Sequence, residues 1–170
     1  MELVYRVIPN YPKVGVNFID MDSLYRTQLK PICHDIAEYI ANHNVIPEAI
    51  VAIGSRGWVT GSIVAYMFDL PIFLARDESK ALNDWVFTEP FENEYASRRF
   101  GISSEVAKYK SVVIIDDLIA TGNTISSVEK LMYDLGVKVS QIISTIRLRE
   151  FNPQFKAPLY CVKEISCEDL

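Results

Sequence analysis

Apolar residues recur along this chain in two alternating rhythms. Over residues 23–42 they fall at helical spacing, at Leu24, Leu29, Ile32, Ile36 and Ile40, with Pro31 set to kink or delay the helix. Short unbroken apolar runs over 49–53 and 111–115 match the pattern of buried parallel strands. Helical patterns are predicted over 57–68 and 124–135, and further strands over 72–75, 137–146 and 160–162. Residues 85–88 and 91–100 read either as a pair of strands or as an irregular excursion. Such alternation predicts an α/β fold, a mostly parallel central sheet flanked by helices on both faces. The 170 residues hold no internal repeat or linker and predict one domain, 1–170.

Composition narrows the classes of function. Net charge is −5, so there is no basic footprint for nucleic acid or an anionic membrane. No apolar run nears the roughly 20 residues that span a bilayer. The first six residues lack the layout of a signal peptide. Three cysteines, Cys33, Cys161 and Cys167, show no metal-ligand spacing and fit a reducing, cytoplasmic setting. Both histidines, His34 and His43, fall in the first predicted helix without a nucleophile nearby, so both are read as structural or surface residues.

Residues 112–124 carry the chemistry. Four β-branched residues run into Asp116 and Asp117, and the small and hydroxylated residues Ala120, Thr121, Gly122, Asn123 and Thr124 follow before a helix begins. Carboxylates at a strand's end would meet a ligand where open α/β sheets bind one. Loop amides backed by a helix dipole would face an anion. This stretch resembles the 5-phosphoribosyl-1-pyrophosphate (PRPP) motif of type I phosphoribosyltransferases. The resemblance implies that Asp116 and Asp117 contact the ribose hydroxyls and that residues 120–124 grip the 5′-phosphate.

Three further segments resemble the adenine phosphoribosyltransferases. Residues 8–22 look like their opening, which forms a small N-terminal hood over the base (about 1–22 here) and places Asn17, Phe18 and Ile19 at the purine. Gly54, Ser55, Arg56, Gly57 and Trp58 look like the turn that binds pyrophosphate; a Gly-flanked turn brings amides to an oxyanion while Arg56 adds a cationic fork. The resemblance assigns that role to Ser55, Arg56 and Gly57, with Arg76 and Lys80 in support. Phe91, Glu92, Asn93, Glu94, Tyr95 and Ala96 look like part of the family's mobile catalytic loop (about 84–103), with Glu94 near N7 of the purine and Glu92 as the competing register. Asp117 and Glu94 are thus the expected catalytic residues. Mg²⁺ is the implied cofactor, held mainly by PRPP and water. PRPP and a purine base are the implied ligands, AMP the product, and a homodimer the implied assembly.

Several positions depart from the family pattern. Asp77 and Glu78 interrupt a usually basic loop, Gly54 stands for an acid, Asn123 and Ala96 for glycines, and Arg147 for an acid. Asn17 and Ile19 also differ from the common residues at the base. The alternatives to an adenine enzyme are one for guanine, hypoxanthine or xanthine, and a non-catalytic PRPP-binding regulator.

Overall fold

A computed structural model of the chain describes residues 2–92 and 97–170. The short strands β1 (Arg6–Ile8) and β2 (Phe18–Asp20) pair antiparallel, and β2 leads directly into helix α1 (Met21–Asn42). Asp20 makes that junction. Its carboxylate accepts from the Asp22 and Ser23 amides, and pairs with Arg6 of β1 at 2.8 Å. The hairpin is thereby tied to the start of α1. Pro31 neither delays nor ends the helix: it lies exposed, while Leu24 before it and Ile32, Cys33, Ile36 and Ile40 after it are buried. Apolar anchors on both sides of Pro31 outweigh the one backbone bond it removes.

The chain continues through β3 (Ala49–Ile53), α2 (Gly57–Met67), β4 (Ile72–Asp77), β5 (Trp85–Phe87), β6 (Phe91–Glu92), β7 (Ser97–Arg98) and β8 (Phe100–Ser103). It ends with β9 (Ser111–Ile119), α3 (Asn123–Asp134), β10 (Lys138–Leu148) and β11 (Leu159–Ile165). Seven strands form one sheet in the order β11-β10-β9-β3-β4-β8-β5, with β8 and β5 antiparallel and the other five parallel. The excursion between β4 and β9 thus supplies two strands to the sheet edge, and β6 pairs with β7 as a separate ribbon.

Both sheet faces are covered, as the apolar runs require. Val113, Ile115 and Ile143 pack with residues of α1 and α2, while Val112, Ile114 and Ile142 pack with residues of α3. From β3 the chain leaves toward β4, and from β9 toward β10, so the sheet's switch point lies between β3 and β9. There β9 outruns its neighbour: pairing with β3 stops at Ile115, whereas pairing with β10 continues to Ile119. Contrary to the sequence expectation of a strand ending at Ile115, the two acids sit inside a longer strand. Its β3-facing edge is left open beside them.

Candidate active site

Two clefts meet at that switch point. One, of about 260 Å³, is lined by Gly54, Ser55 and Arg56, by Asp116 and Asp117, and by Arg98, Leu118 and Thr124. The other, of about 250 Å³ and largely apolar, is lined by Asn17, Phe18 and Ile19, by Arg56, Leu118, Ala120 and Leu148, and by Leu170. Arg56 and Leu118 belong to both, so the acidic and apolar clefts adjoin.

The acid pair is buried and internally braced. Asp116 Oδ1 accepts the Asp117 amide at 2.8 Å, and Arg56 Nε lies 2.9 Å from Asp117 Oδ2. That contact is an ion pair without hydrogen-bond alignment, and Oδ2 has no other partner. Burial pushes both carboxyls above the usual carboxylate range. The charge of Asp117 raises Asp116 further, while Arg56 pulls Asp117 back toward ionisation. The pair thus sets two carboxyls of raised proton affinity in the wall of a polar cleft, one of them beside Arg56.

Two glycine positions show how the turns reach the strand. A Cβ on Gly57 would stand 2.9 Å from Asp116 Cα and 3.0 Å from the Ile115 carbonyl oxygen. The N-terminus of α2 therefore rests directly on the acid strand, which carries Arg56 to Asp117. Gly122, at φ +79°, precedes α3, and a Cβ there would meet Pro153 at 2.5 Å and Phe155 at 2.9 Å. Only glycine fits that packed left-handed position. In the 120–124 loop, Thr121 is exposed, Asn123 opens α3, Ala120 faces the apolar cleft and Thr124 faces the acidic one. The N-terminus of α3 points its helix dipole at this loop, a geometry suited to an anion.

Asn17, Phe18 and Ile19 all line the apolar cleft. Phe18 packs edge-on against Tyr11, ring centres 5.1 Å apart, and the Arg56 guanidinium lies 5.3 Å from the Phe18 ring centre. Arg56 thereby touches both the acid pair and the apolar pocket's aromatic wall.

Arg76 and Lys80 do not line either cleft. Arg76 is stacked between Trp58 and Trp85, 5.1 Å from each ring, and Lys80 is exposed at the end of a short 3₁₀ turn. Arg98, which sequence reasoning passed over, lines the acidic cleft and lies 3.8 Å from Asp77. Arg147, at a position where the family tends to have an acid, pairs with Glu164 and also donates to Asn152 Oδ1. Glu94 lies outside the described residues.

Tyr25 and Thr145 were also passed over. Their hydroxyls are buried close to each other, and burial together with the charge of Asp117 pushes the Tyr25 phenol far up, against the pull of Thr145. Tyr25 is spaced like a core residue of α1, and its sequence carries no sign of the acid pair beside it. Among the described residues no three His, Cys, Asp or Glu side chains gather to hold a metal ion. The carboxylate oxygens here are hard donors, suited to a cation that arrives with a polyanionic ligand.

Residues 21–168 match the model of the phosphoribosyl transferase domain family. An adenine phosphoribosyltransferase of Borreliella burgdorferi is 33% identical over 162 residues, spanning 93% of this chain and 90% of the relative. The crystal structure of adenine phosphoribosyltransferase from Thermoanaerobacter pseudethanolicus shares the fold with a TM-score of 0.86 at 24% identity, covering 95% of each chain. The Saccharomyces cerevisiae enzyme, crystallised with an iminoaltritol bisphosphate and adenine, gives 0.84 at 22% identity over 94% of each chain. With its strand-borne acid pair, glycine-seated turns and hooded pocket, the chain belongs to the adenine phosphoribosyltransferase family.

Proposed function

We propose that this protein transfers the 5-phosphoribosyl group of PRPP to adenine, yielding AMP and pyrophosphate in purine salvage. The observation that carries the reading is the pair of adjoining clefts sharing Arg56 and Leu118: one has the polar and charged groups a phosphorylated sugar needs, the other the apolar walls a planar base needs. In this reading the ribose hydroxyls lie on Asp116 and Asp117, the 5′-phosphate on the 120–124 loop, and pyrophosphate on Ser55, Arg56 and Gly57. Arg98, from the cleft wall, adds a second cation for the leaving group. The base rests against Phe18, between Asn17 and Ile19.

Bond cleavage gives C1 oxocarbenium character, and purine N9 adds from the face opposite the departing pyrophosphate. The protein supplies position and field rather than a nucleophile. Mg²⁺, arriving with PRPP and facing the Asp116 and Asp117 carboxylates, would neutralise charge that a chain of net −5 could not balance alone. Asp117, in the wall of the acidic cleft beside Arg56, would bond the ribose. The test is pyrophosphate release from PRPP and Mg²⁺ with adenine, guanine, hypoxanthine and xanthine in parallel. Turnover with adenine above the rest supports the reading; turnover only with another base moves the specificity, and silence with all four sinks the enzyme.

Glu94 is assigned to proton exchange at the base. Glu94→Gln is expected to lower kcat by about 10²-fold or more while leaving PRPP affinity nearly unchanged. Single-turnover rates and PRPP titrations measure the two. That pattern in Glu92→Gln instead would shift the assignment by two residues.

We also infer a homodimer. A groove of about 520 Å³ between α1 and α2 is lined by Tyr25, Leu29, Cys33, Ile63, Tyr66 and Met67, and Tyr66 is 87% exposed. An exposed apolar face of this kind marks an interaction surface. By the family resemblance, the 76–80 loop would lie near the partner subunit, which fits its absence from either cleft of its own chain. Sedimentation equilibrium is expected to give twice the 19.3 kDa chain mass, reduced toward one chain by Tyr66→Asp; a wild-type monomer refutes the dimer. Three unpaired cysteines support a cytoplasmic location, which cell fractionation would test.

A further inference from the structure

One part of the apolar pocket's wall comes from the segment after β11. Leu170 lines the pocket with Phe18 and Leu148, and packs against the apolar cluster that holds Ile19. Two fastenings hold it there. Asn17, itself on the pocket wall, donates from Nδ2 to the Leu170 carbonyl oxygen at 3.0 Å. Three residues behind Leu170, Glu150 accepts from the Cys167 amide at 2.8 Å and from the Ser166 hydroxyl at 2.5 Å. Those bonds hold the Glu150 carboxyl down, to about 2. Cys167, Glu168 and Asp169 are exposed, whereas Leu170 turns back to half-burial. A strap fastened at Ser166 and Cys167 and again at Leu170, with only the apolar leucine turned inward, is a built contact.

We propose that Leu170 is a specificity-determining residue for the base, clamped by Asn17 at one end and positioned through Glu150 at the other. This rests on the reading of the apolar cleft as the purine pocket. The leucine side chain occupies room that an added ring substituent would need, and it supplies apolar contact to the unsubstituted base. Asn17 thus has a second task, since its amide binds the strap as well as facing the pocket. Glu150 is a positioning residue that acts only through the strap.

The test compares wild type, Leu170→Ala, Leu170→Met and Glu150→Ala in pyrophosphate-release assays with adenine and with 2-methyl-, 8-methyl- and N6-methyladenine. In Leu170→Ala the KM for adenine is expected to rise about tenfold, the scale of lost apolar contact in a substrate pocket. The KM for PRPP should stay within about twofold, because none of that contact is made with PRPP. At least one methyladenine should gain about tenfold in kcat/KM relative to adenine, again on the scale of one methyl group. Leu170→Met should restore wild-type preference, and Glu150→Ala should move the adenine KM in the same direction by a smaller factor. An unchanged adenine KM and unchanged methyladenine exclusion in Leu170→Ala, with wild type active on adenine, overturn the proposal alone. A wild type that uses no purine overturns the underlying reading, and this proposal with it.

Discussion

Asp117→Asn is expected to abolish most turnover while leaving the protein as stable as before, or more so. Asp117 lines the acidic cleft and holds its buried Oδ2 2.9 Å from Arg56 Nε. An amide placed there loses the negative charge that attracts Arg56 and the developing oxocarbenium. One of its two polar ends also becomes a donor, able to repel the ribose hydroxyl it should receive. Loss of one preorganised electrostatic contact typically costs about 10²- to 10³-fold in kcat, and kcat/KM should fall by at least that much.

Stability is expected to move the other way. Burial raises the folded-state pKa of Asp117 despite Arg56, so the folded protein binds a proton more tightly than the unfolded chain does. Stability from that site is present below the unfolded carboxylate pKa, about 4, and is lost as pH rises through the raised folded value. The amide in Asp117→Asn would not titrate and would also relieve the repulsion felt by Asp116. Arg56 is left without its acid, but its side chain is 38% exposed and water can take over. The variant's melting temperature should therefore gain on wild type as pH moves from acid to neutral. Thermal melts across that range and kcat/KM for pyrophosphate release measure both halves. Near-wild-type kcat/KM in the folded variant removes Asp117 from the chemistry; a melting temperature that falls further behind at neutral pH shows that the ion pair outweighs the burial.

The parts of this site that were legible in the sequence are those built from local backbone constraints. A short, β-branched apolar run bounded by turn residues fits a strand buried on both faces, so β3 and the first half of β9 are readable from the sequence. The glycines at 54, 57 and 122 marked turns because tight approach and positive φ exclude side chains. What escaped depends on neighbours distant in sequence. Nothing local says that β9 continues through Asp116 and Asp117, because β10 supplies the pairing from Ser144 to Arg147. Arg76 reads as a free cation in a loop, yet two indoles hold it, and both partners are known only once β4, β5 and α2 are assembled. Leu170 reaches the hood through a bond to Asn17 spanning 153 positions, and no periodicity reports such a meeting. Pro31 leaves α1 running to Asn42 for a related reason, since tertiary burial on both sides outweighs a local breaker.

Gly57→Ala is the second change with a large expected effect, and it separates close approach from chain flexibility. Gly57 is the first residue of α2, and its φ is not positive, so alanine would be acceptable to the backbone itself. The obstacle is contact: the new methyl would stand 2.9 Å from Asp116 Cα and 3.0 Å from the Ile115 carbonyl oxygen. Both are main-chain atoms of a central strand fixed by neighbours on each side, so α2 must move instead. Overpacking of this kind costs about 1–3 kcal/mol. The displaced element carries Arg56, which the proposed function sets on pyrophosphate, and misplacement of such a group by about 1 Å is worth about 10²-fold in rate. Gly136→Ala is the matched control. Gly136 has φ +76° and open space around its would-be Cβ, so alanine there incurs only the left-handed backbone strain of about 1–2 kcal/mol. The two variants should therefore lose similar stability, while only Gly57→Ala loses turnover, with KM for PRPP rising as Arg56 leaves Asp117. Equal kinetics in the two would mean that α2 yields without moving Arg56, and that the contact between the pyrophosphate turn and the acid strand does not set the geometry of the site.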